Sequence, residues 1–414
     1  MQEEIKTNLN SPKQLEKLYR DNKTLFKNSF DQIYSEISEH PTAQIWYERL
    51  HFKQQMISWG SNKELLFILA ISFIAGIIAK IPQFTGLDED FFYPRNISLV
   101  VLPMLAAYFV WKQNLAWNKI LIVAALIVAS SVYINILPPN ETSDTLILAC
   151  IHLPLFLWTV LGYTYTGDDF KKFGKRIDFL RFNGDLIVMT TVILIAGAIL
   201  SAVTVGLFEM INIKIEEFYF SHVAIWGLAA APIFGTYLVQ QNPQLVKNVS
   251  PIIAKVFTPL VLVMLVVYLI AIIYTGKDPY NDREFLFIFN LLLIGVMAII
   301  LFSISESAQN EAGKIELLLL LGLSIVTIVV NGIALSAILF RIFEFGITPN
   351  RLAVLGSNVL ILVNLLMVAY RLFKTLRDAS EIENVEKSIA MFLPIYSVWT
   401  IIVTFLFPLI FAFK

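Results

Sequence analysis

The chain has 414 residues, 57% of them hydrophobic and 15% charged, with a mean hydropathy of +0.70, and a water-soluble fold of this composition would expose far too much apolar surface. A net charge of -1 and a pI near 6.5 give no basic field, which excludes a nucleic-acid partner. The single cysteine, Cys150, excludes an intrachain disulfide, a zinc knuckle and a CxxC redox pair.

Residues 1–64 are hydrophilic and predict a short cytoplasmic helical hairpin. Ser11 and Gln14 have capping-box spacing, Pro12 suits a first helical turn, and Leu15, Leu18, Phe26, Phe30, Ile33 and Ile37 share one helix face. A second helix starts at Pro41 and carries Ile45, Trp46, Leu50 and Phe52. The segment lacks the short apolar core and small-residue cleavage site of a secretory signal, so the first span serves as both targeting signal and permanent helix. The hairpin is expected to pack on the cytoplasmic ends of the bundle. The alternative is recruitment of a cytoplasmic protein partner through residues 11–58.

From residue 65 onward, apolar runs of about 20 residues, enough to cross a bilayer, alternate with short polar connectors. The expected fold is an all-α integral membrane protein with about 11 transmembrane helices, whose partner is the lipid bilayer. Spans are placed at 65–82, 97–111, 120–137 and 146–165, then 185–209, 219–240, 254–275 and 285–303, and finally 315–340, 352–370 and 389–411. These form blocks 65–165, 185–303 and 304–414 of four, four and three helices. Between the first two blocks, at 166–184, Phe170, Phe173, Ile177 and Phe182 interleave with Lys171, Lys172, Lys175, Arg176 and Arg181, predicting a basic amphipathic helix at the inner interface. An N-in, C-out topology puts 23 of the 31 Lys and Arg residues on the cytoplasmic side.

A parallel internal repeat runs through the blocks. Ser72 precedes Lys80, Ser201 precedes Glu209 and Ser336 precedes Glu344, each by eight positions. In the following helix PMLAAY ends at Tyr108, PIFGTY ends at Tyr237 and LLMVAY ends at Tyr370. The later copies, LSAVTVGLFEM and LSAILFRIFEF, agree best. If the copies are related by pseudo-symmetry, Lys80, Glu209 and Glu344 lie at similar depth near the outer surface, where they pair or bind an ion; the plain reading is three snorkelling helix-end residues. His152, His222, Asn290, Asn331, Asn358 and Asn364 are too polar to face lipid and are expected to point into the bundle, with interhelical hydrogen bonding as their ordinary role. Neither histidine has a second ligand at metal-binding spacing, so no metal or cofactor is expected. Pro154, Pro232, Pro259, Pro394 and Pro408 interrupt spans and free backbone carbonyls.

The most specific local motif runs from Arg341 through Glu344, Phe345, Gly346, Ile347, Thr348 and Pro349 to Arg351. Gly346 suits a helix end, Thr348 a cap and Pro349 a first turn. Two arginines and a glutamate on the less basic side of the membrane go beyond turn chemistry; they suit a phosphate or carboxylate, or an Arg–Glu clasp. At this stretch the chain resembles the bacterial multi-pass membrane proteins catalogued as domain of unknown function 4153 (DUF4153), whose R-x-x-E-[YF]-G-[ILF]-T-x-x-R pattern is met by Arg341, Glu344, Phe345, Gly346, Ile347, Thr348 and Arg351. The resemblance covers chiefly spans five to eleven. It implies a protein of the bacterial cytoplasmic membrane and carries over no activity.

A transporter or permease for a small solute or ion is the first functional expectation, with Glu209 and Glu344 taking a cation or amine and Arg341, Arg351, Thr348 and Lys80 completing the candidate sites. A non-catalytic assembly or sensory subunit is the second. A membrane enzyme acting on a lipid-linked phosphate is the third, with Glu344 as base, and is disfavoured by the absence of a DDxxD-like pair or a Ser-His-Asp order.

Overall fold

The computed structural model describes residues 1–51, 60–140, 142–210, 213–247, 249–275, 283–307, 313–377 and 382–413. All regular structure among them is helical. The chain divides into two compact units, Met1–Ser58 and Trp59–Lys414.

The first unit is not a hairpin but four helices: α1 (Gln2–Thr7), α2 (Pro12–Asp21), α3 (Lys23–Ile37) and α4 (Pro41–His51). The predicted long first helix breaks at Asn22, which is extended (φ -155°, ψ 93°) and whose side chain accepts the Leu25 N–H at 3.0 Å, capping α3. The Ser11 hydroxyl makes no cap bond, so the Ser11–Gln14 capping box is not formed; only the Ser11 backbone carbonyl accepts from Gln14, at 2.9 Å. The predicted apolar face is buried all the same. Leu15, Phe26, Phe30, Ile33 and Ile37 enclose Trp46 with Ile5 of α1, each such side chain contributing on the order of 2 kcal/mol. Ile45 instead faces outward, and Phe52 lies outside the described residues. Arg49 stacks over Trp46 and Tyr19 and pairs with Glu16 at 2.7 Å, joining α4 to α2.

The second unit is a helical bundle: α5 (Asn62–Ala79), α6 (Ile81–Thr85), α7 (Glu89–Lys112), α8 (Trp117–Ile136), α9 (Asp144–Thr166), α10 (Phe173–Met210), α11 (Glu216–Gln241), α12 (Val249–Thr275), α13 (Arg283–Ser307), α14 (Lys314–Phe345), α15 (Pro349–Thr375) and α16 (Ile382–Ile410). Among the described residues nine of these are long and apolar enough to cross a membrane, and α12 and α13 carry shorter apolar cores, Val256–Ile270 and Leu292–Ser305. Each predicted span falls on one of these helices. They are apolar on nearly every face, and side chains such as Leu66, Phe73, Val263 and Leu318 stay exposed, a surface suited to lipid.

The basic stretch 166–184 is not an element of its own. From Phe173 it is the opening of α10, 38 residues long, and Ile177, Phe179, Leu180 and Phe182 are buried in the bundle. Its arginines are used internally. Arg176 donates to the Ala390 carbonyl and Arg181 pairs with Glu386 at 2.6 Å, both on α16. The predicted amphipathic pattern is therefore a packing pattern.

Two cores meet along α10. One, from α5, α7, α9, α10 and α11, centres on Ile68, Tyr108, Phe109, Ile233 and Tyr237; the other, from α10 and α12–α16, centres on Ile300, Ile304, Leu323, Val330, Leu365 and Leu372. Pro154, Pro232, Pro259 and Pro394 sit inside helices without ending them. π-helical turns occur at Tyr219–Ala224 in α11 and Ile402–Leu406 in α16. Such wide turns take up the register that an interior proline disturbs.

Candidate functional site

At the predicted motif, α14 ends at Phe345. Gly346 takes φ 79° and ψ 178°, a backbone region that only glycine enters at no cost, although not the left-handed helical one expected. The Thr348 hydroxyl accepts the Arg351 N–H at 3.4 Å and caps α15, with Pro349 in its first turn. Arg351 Nη1 donates to the carbonyls of Phe345 (2.9 Å) and Gly346 (2.7 Å), placing its charge on the C-terminal pole of α14. Arg351 and Thr348 are thus engaged in holding the turn. Arg341 is half-buried, whereas Glu344 is exposed beside exposed Phe343, Phe345 and Ile347.

Lys80, Glu209 and Glu344 are not joined by any ion pair or hydrogen bond among the described residues. Lys80 is 3% exposed, with its ammonium 5.7 Å from the centre of the Phe84 ring, while Glu209 and Glu344 face outward. His152 and His222 each meet a carbonyl of their own helix, Leu148 at 2.9 Å and Phe218 at 3.2 Å. His152 is half-buried, but His222 is exposed rather than turned into the bundle.

The asparagines do converge. Asn358 of α15 donates to Asn290 of α13 at 2.8 Å, and Asn331 of α14 donates to the Asn358 backbone carbonyl at 3.1 Å, so three helices share one amide chain. Asn331 and Asn358 are 0% and 2% exposed, and the Oδ1 of Asn331 has no hydrogen-bond partner among the described residues. Asn364 donates to the Tyr396 hydroxyl at 3.0 Å. Between α12, α13 and α14 lies a cavity of about 310 Å³ whose polar wall is Thr258, Ser303 and Glu316.

A more highly charged site, missed from sequence, sits where α5 begins. Gly60, at φ 60°, turns the chain so closely past its neighbours that an added Cβ would stand 2.9 Å from Gln241 and 3.2 Å from the Glu64 carboxylate. Ser61 then caps α5 by accepting the Glu64 N–H at 3.1 Å. The cap places Glu64 in the first turn, inside the bundle and 8% exposed, rather than in the cytoplasmic segment to which its number assigned it. Its Oε1 accepts from the Tyr108 hydroxyl at 2.7 Å and from Lys112 Nζ at 3.5 Å, and Lys112 also donates to the Tyr108 oxygen at 3.0 Å. Gln241 and Tyr237 of α11 border the group: the Gln241 amide stands beside Gly60, as the Glu64 carboxylate does, and Tyr237 interacts electrostatically with Glu64. Tyr108 and Tyr237, the two landmark tyrosines of the repeat, are both 0% exposed and flank one carboxylate; Tyr370, the third, is exposed. Among the described residues no group of three or more His, Cys, Asp or Glu side chains is placed to hold a metal.

The helices and their buried polar groups define an all-helical, multi-pass integral membrane protein. No family model, no curated protein and no solved structure matches the chain.

Proposed function

We propose that the protein is a transporter- or permease-like protein of a bacterial cytoplasmic membrane, N-terminus inside, and that Glu64 is its principal ion- or solute-binding group. The observation that carries this reading is a buried carboxylate held by a fully buried tyrosine, with a partly exposed ammonium beside it, where the ends of α5 and α7 meet. An ionisable group in such surroundings is expensive to maintain, and it marks a pathway or a binding site far more often than a scaffold. A mainly apolar pocket of about 310 Å³ between α12, α13 and α14 supports the transporter class by its size, which takes a small solute, although none of the Glu64 group lines it. So do the interior prolines and wide turns, which let helix halves move separately. The turn geometry at 341–351 accommodates the DUF4153-like pattern, and that family placement is part of the proposal.

The test is thermal unfolding of the purified full chain in detergent against cations, amino acids and small metabolites, since a ligand of the native state raises stability by mass action. A hit in the parent that Glu64→Gln abolishes supports the reading. A response unchanged by Glu64→Gln moves the site elsewhere.

A second reading, an assembly or sensory subunit, is favoured by one observation: Met1–Ser58 has a helical core of its own. Under it, the parent responds to no solute, and the isolated segment captures a cytoplasmic protein.

A further inference from the structure

Arg95 lies in the second turn of α7, at the end of the helix remote from Lys112, and is 5% exposed. Nη1 donates to the Phe91 carbonyl at 3.1 Å, and the guanidinium lies 4.1 Å from the centre of the Phe91 ring. The other two nitrogens, Nε and Nη2, are buried and have no hydrogen-bond partner among the described residues. Neighbouring polar groups are committed elsewhere. Asn96 and Asn135 exchange reciprocal amide bonds at 2.9 and 2.7 Å, and the Tyr93 hydroxyl donates to the Ala79 carbonyl at 3.1 Å. The helix that packs most closely on α7 is α9, whose Cys150 interacts electrostatically with Arg95.

An arginine cannot escape this situation by losing its proton, as a buried lysine can. Burying a charge without a counter-charge is strongly unfavourable, and more so in a bundle surrounded by lipid. The shape of what is missing can be read from the two bare nitrogens. Nε–H and Nη2–H form the side edge of the guanidinium fork, the edge that meets two oxygens of a carboxylate or phosphate in a bidentate pair. Cation–π contact with Phe91 and the Nη1 bond hold the guanidinium, and this edge is the part of the fork that they leave unused.

We propose that Arg95 is the receptor for an oxyanion, a phosphate or carboxylate group admitted between α7 and α9 and taken through the Nε–Nη2 edge. The two N–H groups are sealed from solvent, so admission requires α7 and α9 to part. A free anion and the phosphate of a lipid headgroup offer the same chemistry. This site is separate from Glu64, and neither depends on the other.

The experiment is thermal unfolding of the full chain in maltoside micelles with added inorganic phosphate, acetate or phosphatidylglycerol, each against chloride at equal ionic strength. The parent Tm is expected to rise with concentration of at least one probe. A rise with phosphate or acetate identifies a free anion, and a rise with phosphatidylglycerol alone identifies a headgroup. Arg95→Met is expected to be as stable as the parent without probe, having lost an uncompensated charge, and to show no rise with any. Arg95→Lys keeps the charge without the fork and is expected to respond only at several-fold higher concentration. If no probe shifts the parent, or if Arg95→Lys responds at the parent's concentrations, the proposal is overturned. It is overturned equally if Arg95→Met keeps the parent's response, or is unstable without probe, which would show the guanidinium to be a structural tie.

Discussion

The Glu64 site and the 341–351 turn use the same side-chain chemistry, carboxylate and cation, to opposite ends. At the turn, Arg351 spans five to six residues to bond the carbonyls of Phe345 and Gly346 and Glu344 stands in the open, so both charges are near the surface and only Arg351 is held. At Glu64, which is 8% exposed, the first turn of α5 meets the last turns of α7, and the carboxylate is bonded to both Tyr108 and Lys112. Charge density along the chain thus does not by itself mark a site: the dense 341–351 motif holds a turn, and the dense 166–184 stretch ties α10 to α16. The strongly coupled charges are those scattered through apolar runs.

That contrast can be broken by mutation. Glu64→Ala, leaving the Tyr108 hydroxyl and Lys112 without their acceptor, is expected to destabilise the bundle by about 2–3 kcal/mol, with the loss partly relieved in Glu64→Ala/Lys112→Met; thermal unfolding of the single and double variants measures the coupling. Asn358→Leu, which removes the bond to Asn290, is expected to lose about 1 kcal/mol in the same assay, testing whether uncharged interior amides rank between the two regions. Arg351→Ala is expected to lose only about 0.5–1 kcal/mol, and the loss should shrink in high salt. Glu344→Gln should stay within about 0.5 kcal/mol of the parent; a larger change would give the turn a partner that the described residues lack.

The smallest expected effect lies in the first unit. Arg20 and Arg49 beside Glu16 hold its carboxyl below the ordinary carboxylate value. A lowered value in the folded state means that Glu16 contributes stability at neutral pH and loses it as pH falls through the carboxylate range. The protection of α2 and α4 amides, measured as exchange relative to the intrinsic rate at each pH, should therefore fall on acidification, and this pH dependence should weaken in Glu16→Gln.

Apolar length was enough to locate every predicted span on a helix, because in a bilayer a run of about 20 residues has few structures other than a helix open to it. Local polar competition was harder to read. Asn22 ended a helix that periodicity alone carried on to Ile37, and the hydroxyl of Ser11 made no cap despite its spacing from Gln14. The stretch 166–184 misled because a face that packs on α16 has the same period as one that lies on headgroups. Glu64 was hidden for a different reason. Ser61-x-x-Glu64 reads sufficiently as a helix start, and its partners Tyr108 and Gln241 are far away in sequence. The one sequence signal that pointed there was the PMLAAY stretch, whose Tyr108 donates to Glu64.

The long helix α10 contributes Ile177 and Leu180 to one core and Phe179, Phe182, Leu186 and Met189 to the other. Neighbouring residues of a single rigid rod are thereby committed to both halves, so neither half can melt without stripping the partner of one of its walls. Calorimetry of the bundle should accordingly show one endotherm with matching calorimetric and van't Hoff enthalpies, and a chain cleaved before Phe173 should lose both halves together.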